Sequence, residues 1–261
     1  MLSPLPPVTL DPTAPPRLGI DPGEVHVWLA CVDGFADPAL EARLAGIVTA
    51  DERARQQRFV RPADRHVQLL ARALVRVLLS SYTGVPAADW RFDAGPHGKP
   101  FLVGPTAGLP VAFNLSHTPG LVAAAFTLGA EVGVDVEHLD RRTATMDVAR
   151  RFFAPAEVAA LERAPAGERQ ETFFGFWTLK EAYLKARGLG LSVPLASFAF
   201  DLSADPPAVA FAPPIDDDPA RWQFTRHTPG PHHRLAVAVE RPPDGARTIR
   251  VGTVSPPSGP A

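Results

Sequence analysis

Leu69-Leu-Ala-Arg-Ala-Leu-Val-Arg-Val-Leu-Leu-Ser-Ser81 lies within the clearest element of the chain. Across residues 62–82, Leu69, Leu70, Ala73, Leu74, Val77, Leu78 and Ser81 return at the 3.6 period of a helix, and Gly84 with Pro86 closes it. Upstream, Val25, Val27, Leu29 and Cys31 alternate with His26, Trp28 and Ala30, the period of a strand. Short helices are predicted at 38–46 and 50–59, the second with Thr49 as N-cap and Asp51 and Glu52 in its first turn. Strands are predicted downstream at 101–103, 111–115 and 121–127.

The same order then recurs. A strand at 132–137 leads to short helices at 145–153 and 156–163, a long helix at 170–187 ending at Gly188, and strands near 197–202, 208–211, 222–226 and 234–240. Runs of strands kept apart from runs of helices predict an α+β fold. The recurrence of order predicts two similar subdomains in a pseudo-twofold arrangement, 17–129 and 130–241, with a ligand cleft between them.

Composition agrees with that size. The chain has 261 residues, 46% hydrophobic and 21% charged, with a net charge of −2, which excludes disordered, collagen-like and coiled-coil classes. Of its 30 prolines, six fall in 1–16, five in 206–219 and five in 242–260, so the ends 1–16 and 242–261 are expected to be mobile tails. No apolar run approaches the ~20 residues of a membrane span, and the first residues lack the pattern of a signal peptide. A cytoplasmic protein without membrane contact is expected. Cys31 is the only cysteine, which excludes an intramolecular disulfide and a cysteine-rich zinc site; its apolar run predicts a buried structural thiol. The balanced charge argues against a protein devoted to nucleic acid.

Several stretches carry residues suited to chemistry. In Glu131-Val-Gly-Val-Asp-Val-Glu137, Val132, Val134 and Val136 are expected to face a core, while Gly133, Asp135 and Glu137 share the other face. Paired carboxylates suit Mg²⁺ held together with substrate phosphates, and Gly133 would let something approach the backbone closely. Solvated carboxylates are the plain alternative. On the helix that follows, Trp177, Glu181 and Lys185 succeed one another at i, i+4 and i+8, a stripe that reads either as a surface ion pair or as a third carboxylate and a cation for the same site. Asn114-Leu-Ser-His117 precedes the turn residues Thr118-Pro-Gly120; Ser116 and His117 can offer hydrogen bonds to an anion from a loop, or merely shape it. No nucleophile elbow surrounds Ser116. Between 51 and 76 stand seven Arg against three acidic residues, suited to phosphate or to an ordinary surface. Pro96-His-Gly-Lys-Pro100 adds a loop lysine.

Taken in order, Gly98-Lys-Pro100, Asn114-Leu-Ser-His117, Gly133-Val-Asp-Val-Glu137 and Trp177-Thr-Leu-Lys-Glu-Ala-Tyr-Leu-Lys185 with Gly188-Leu-Gly-Leu191 resemble the large, two-domain, surfactin-synthetase-activating type of 4′-phosphopantetheinyl transferase. Supporting matches lie in 55–59, 64–76 and Arg151-Phe-Phe153 ahead of Glu157. The resemblance spans about residues 24–240 and implies a monomer. It also implies transfer of 4′-phosphopantetheine from coenzyme A to a serine of an apo acyl, aryl or peptidyl carrier protein, with release of adenosine 3′,5′-bisphosphate.

Carried over by position, Asp135, Glu137 and Glu181 would ligate Mg²⁺, with Glu181 as the base for the carrier serine. Lys185, Ser116 and His117 would contact phosphates, Lys99 and Pro100 would lie at the adenine end, and Arg55 would meet the 3′-phosphate. Two places depart from the pattern. Glu52 stands where some relatives have a second lysine for that phosphate, and Val67 and Gln68 replace a polar or basic pair, so Arg53 or Arg72 is the expected substitute. Two other readings of the same residues stay open: a metal-dependent phosphodiesterase using water as acceptor, and a coenzyme A binding module without turnover.

Overall fold

The computed structural model of the protein describes residues 2–141, 145–243 and 245–257. In chain order the strands and helices are β1 (Ser3–Pro4), β2 (Val8–Thr9), β3 (Glu24–Cys31), α1 (Pro38–Ile47), α2 (Ala50–Gln57), α3 (Pro62–Thr83), β4 (Phe92–Ala94), β5 (Pro100–Leu102), β6 (Val111–Thr118) and β7 (Leu121–Leu128). There follow β8 (Val132–His138), α4 (Met146–Phe152), α5 (Pro155–Arg163), α6 (Arg169–Arg187), β9 (Phe198–Asp201), β10 (Ala208–Phe211), β11 (Trp222–His227), β12 (His233–Glu240) and β13 (Thr248–Ser255). Two compact units form: Met1–Asp93 with Pro100–Gly129 and Thr248–Ala261, and Ala94–Lys99 with Ala130–Arg247.

The first unit is built on a sheet of order β1-β13-β3-β7-β6, with β2 also paired to β13. Strands β3, β7 and β6 are antiparallel neighbours, Trp28 facing Ala124 and Asn114 facing Ala125, whereas β13 runs parallel to β3. Helix α3 starts at Pro62, whose fixed φ suits a first helical position. It stops at Gly84, where a φ of +80° turns the chain and the glycine N–H returns to the Ser80 carbonyl. The face that α3 covers is that of Trp28 and Ala30: Trp28 Nε1 donates to Tyr82 Oη at 2.7 Å, and Trp28, Leu74, Leu78, Phe113 and Phe126 share one core.

Three expectations fail here. The ends are not loose, because β1, β2 and β13 join the sheet through Val251, Val254 and their partners; Met1, Asp244 and residues 258–261 of those ends lie outside the described residues. Cys31 is exposed, since the strand outruns its cover at that residue. Ser116 and His117 stand on a strand, not in a loop, because β6 keeps pairing with β7 as far as Thr118 opposite Leu121.

The second unit carries the antiparallel sheet β11-β12-β8, with Asp135 opposite Ala236 and Gly133 opposite Ala238, and a separate ribbon β9-β10. Val132, Val134 and Val136 are buried, yet α6 packs on the other face of β8. A Cβ on Gly133 would lie 2.0 Å from the Ala182 carbonyl oxygen and 2.4 Å from the Ala186 nitrogen, so helix and strand meet backbone to backbone. The close neighbour that Gly133 admits is therefore α6 itself, and the small residues Ala182, Ala186, Ala236 and Ala238 line the contact in the core of this unit.

Candidate active site

The close crossing of α6 over β8 brings the carboxylates together. Asp135 and Glu137 lie two apart on the helix-covered face of β8, both buried, and Glu181 and Lys185 lie one turn apart on α6 on either side of Ala182. Lys185 passes over Glu181, its neighbour on the helix stripe, and reaches the strand, with its Nζ donating to Asp135 Oδ1 at 2.6 Å. The surface pair that i, i+4 spacing allows is thus not the pair that forms. Glu137 is held by Arg141, whose guanidinium donates to Oε1 at 2.6 Å.

Crowding marks the cluster electrostatically. Burial, followed by the neighbouring Asp135 carboxylate, pushes Glu181 up to about 7, with Glu137 adding to the rise and Lys185 opposing it. Burial and Asp135 also raise Glu137, against the pull of Arg141. A cation placed among the three would offset the repulsion that raises Glu137 and Glu181. The donor set, all oxygen and all anionic, suits a hard divalent ion such as Mg²⁺. Among the described residues no three side chains already converge at ligating positions.

Two further groups fix this arrangement. Lys180, next to Glu181 on the buried side of α6, places its Nζ 2.8 Å from Glu157 Oε2 and 2.7 Å from the Leu195 carbonyl, and 4.3 Å from the Phe198 ring centre. The second Glu157 oxygen accepts from Phe200 N at 2.9 Å. Lys99 donates to the Ala186 carbonyl in the last turn of α6, and its stem lies against Gly188, the left-handed residue that ends the helix. Burial lowers the Lys99 pKa, with Glu131 opposing.

Comparison with known proteins shows the family. Residues 131–239 match the model of the 4′-phosphopantetheinyl transferase superfamily, and residues 39–128 match that of the 4′-phosphopantetheinyl transferase N-terminal region. The chain belongs to the 4′-phosphopantetheinyl transferase superfamily. It is 34% identical over 226 residues to the 4′-phosphopantetheinyl transferase HetI of Nostoc sp., covering 86% of this chain and 91% of that protein. It is 30% identical to the 4′-phosphopantetheinyl transferase Sfp of Bacillus subtilis, covering 77% and 85%. Among solved structures, the holo-[acyl-carrier-protein] synthase of Thermotoga maritima aligns with a TM-score of 0.35 at 23% identity, over 42% of this chain and 62% of that one.

In the first unit of this transferase, the predicted anion contacts separate into exposed and structural groups. Arg55 is exposed on α2 and makes no ion pair among the described residues, whereas Pro100 opens β5. Ser116 is buried on β6, and His117, on the opposite side of the strand, is exposed. Arg53 does not stand free to replace a phosphate lysine: its guanidinium donates to the Ala45 and Val48 carbonyls, both at 2.8 Å. Arg72 is half-buried, and burial lowers its pKa with Glu52 opposing. Glu52 itself caps α2, accepting from Thr49 N, and pairs with the buried Arg76 at 2.7 Å. Arg76 also donates to the Ala87 and Trp90 carbonyls, so one of the seven arginines serves the core.

Sequence reasoning missed Arg141, which reaches Glu137 around the end of a strand where i, i+4 spacing has no helical meaning. It named Gln68 only as a departure from the pattern and did not foresee its contact with His117, 2.8 Å from Gln68 Nε2 to His117 Nε2.

Proposed function

We propose that the protein transfers 4′-phosphopantetheine from coenzyme A to a serine hydroxyl of an apo carrier protein, releasing adenosine 3′,5′-bisphosphate, with Mg²⁺ required. The observation that carries this reading is the Asp135, Glu137 and Glu181 cluster with Lys185 at its edge. Mg²⁺ held by these three carboxylates would neutralise the pyrophosphate charge and orient it for in-line displacement. The chain's own groups supply the rest. Glu181, beside the other two carboxylates and one turn from Lys185, is the group that would accept the serine proton. The serine oxygen then bonds to phosphorus while the bond to the bisphosphate oxygen breaks, and the Lys185 ammonium offsets the charge that develops on that oxygen. His117, on the exposed side of β6, offers a hydrogen bond to a phosphate oxygen, Arg55 offers a fork to the 3′-phosphate, and Lys99 and Pro100 lie at the adenine end.

A pseudo-twofold relation of the two units belongs to the same reading. It is supported by a device each unit has: a glutamate at the third position of a short helix that accepts from the capping N–H and pairs with a cation on the long helix, Glu52 with Arg76 and Glu157 with Lys180. A monomer that works in the cytoplasm completes the proposal.

Incubation with coenzyme A, Mg²⁺ and a panel of apo carrier domains is expected to add one phosphopantetheine mass to at least one of them. Absence of the added mass across the panel would overturn the reading. Hydrolysis of coenzyme A without any carrier would favour a phosphodiesterase instead.

A further inference from the structure

We propose that Arg72 and Arg55 together form a site for a phosphate monoester on the seam between α3 and α2, and that Arg72 thereby selects for the 3′-phosphate of coenzyme A. The inference rests on the coenzyme A reading above and adds to it a residue from a second helix. Helices α2 and α3 are joined by the short stretch 58–61. Near that connection the Gln56 side chain meets the Arg65 carbonyl at 3.0 Å, and farther from it Glu52 meets Arg76 at 2.7 Å, so the helices run antiparallel. Between those two contacts, one turn from Glu52 toward the connection, stands Arg55. One turn from Arg76 in the same direction stands Arg72. The seam therefore places the two arginines side by side. Burial lowers the Arg72 pKa; Glu52 opposes the fall and the Arg55 charge adds to it, as it must when two cations lie within reach of each other.

The seam supplies a carboxylate for only one of its cations. Arg76 takes Glu52 through two nitrogens, at 2.7 and 3.1 Å. Arg53 is spent on the Ala45 and Val48 carbonyls. Among the described residues neither the Arg55 nor the Arg72 guanidinium makes a hydrogen bond or an ion pair. A guanidinium carries donors and no acceptor, and Arg72 holds its own half-buried, so an anion repays it more than it would a fully hydrated cation. Two such forks suit a phosphate monoester, a dianion with its terminal oxygens open, better than a diester. The 3′-phosphate is the one monoester of coenzyme A. The cation missing at position 52 is thus made good from across the seam, and Glu52 does not repel the phosphate because Arg76 holds it.

Calorimetric titration with coenzyme A and with dephospho-coenzyme A, which differ only in that phosphate, separates this site from the rest of the ligand. The unaltered protein is expected to bind coenzyme A more tightly. Arg72→Met, which keeps the apolar stem, should weaken coenzyme A binding about 10- to 100-fold, the range of hydrogen bonds between charged groups, and leave dephospho-coenzyme A unchanged. Arg55→Met should act in the same way, and the double variant should bind both ligands alike. A preference for coenzyme A that persists in full in Arg72→Met overturns the proposal, and so does an equal loss of both ligands.

Thermal melting of the ligand-free protein supplies the second readout. Arg72→Met removes no partner and relieves the repulsion from Arg55, so it should melt no lower than the unaltered protein. A lower melting temperature with the preference for coenzyme A intact would mark Arg72 as a structural cation and overturn the proposal. The two levels of the reading fail differently. Where the unaltered protein binds coenzyme A and modifies a carrier but Arg72→Met keeps the same preference, only the role of Arg72 falls. Where the unaltered protein binds neither ligand and modifies no carrier, the proposed function falls with it.

Discussion

The two units solve the same packing problem with opposite means. In each, a long helix lies on one face of a sheet whose other face is also buried, and in each a cation on that helix meets a glutamate from a preceding short helix. In the first unit the helix is held off by bulk, with Trp28, Phe113 and Phe126 filling the space and Trp28 bonded to Tyr82. In the second it is drawn down onto Gly133 among alanines. Bulk makes a core; close approach makes a site. Only where the backbones touch can Glu181 and Lys185 on α6 reach Asp135 on β8.

The comparison can be broken, beginning with the largest effect. Asp135→Asn keeps the side-chain shape and should lower transfer by about 10³-fold, roughly 4 kcal/mol of transition-state stabilisation, while moving the melting temperature little. Retained transfer would separate the carboxylate cluster from the chemistry.

Lys180→Met leaves Glu157 charged in a fully buried place and should cost about 3–5 kcal/mol in urea unfolding. Arg76→Met should cost less, about 2–3 kcal/mol, because Glu52 keeps 14% of its side-chain surface open to water. Equal costs would mean that the two ion pairs are buried alike in practice. Adding Glu157→Gln to Lys180→Met should restore part of the loss, as expected when an unpaired charge is the main penalty.

Gly133→Ala puts a methyl into the backbone of α6 and should cost about 1–3 kcal/mol, with transfer falling further than stability because the helix must lift from the carboxylates. A loss of stability with transfer intact would show that the close approach serves packing alone.

The smallest effect is in pH. Burial lowers the pKa of His26, which bonds to Tyr82 and Glu24 in the first unit. The unfolded chain then binds the proton more readily, so this contribution to stability is present above the unfolded imidazole range and is lost as pH falls through it toward the lower folded value. His26→Gln should flatten that part of the stability curve, as followed by thermal melts across pH.

Much of this was legible beforehand because it is local. The 3.6 period of α3 and α6, their glycine ends and the alternation of β8 depend on neighbours in sequence, and so does the Asp135 and Glu137 spacing. Gly133 announced a close approach without saying whose backbone would make it. What stayed hidden depends on pairing at a distance. The proline-rich flanks of β13 masked a strand because its partner β3 is more than two hundred residues away, with no turn between them to betray the pairing. Lys180 read as one more cation of the motif, and only burial shows it as an anchor of the helix that bears Glu181.

That late strand has a consequence for how the protein is made. Strand β13 sits between β1 and β3 inside the first sheet, so the first unit of the chain to be synthesised is the last whose sheet can close. On the ribosome, β3 must wait with one edge unpaired while the whole second unit is translated. The unit that carries the carboxylates has no such debt to the end of the chain and can fold while its neighbour is still open. Delay or pausing before β13 is made would therefore leave an exposed edge on the half that lacks the carboxylates, and chaperones would be expected to attend to that edge.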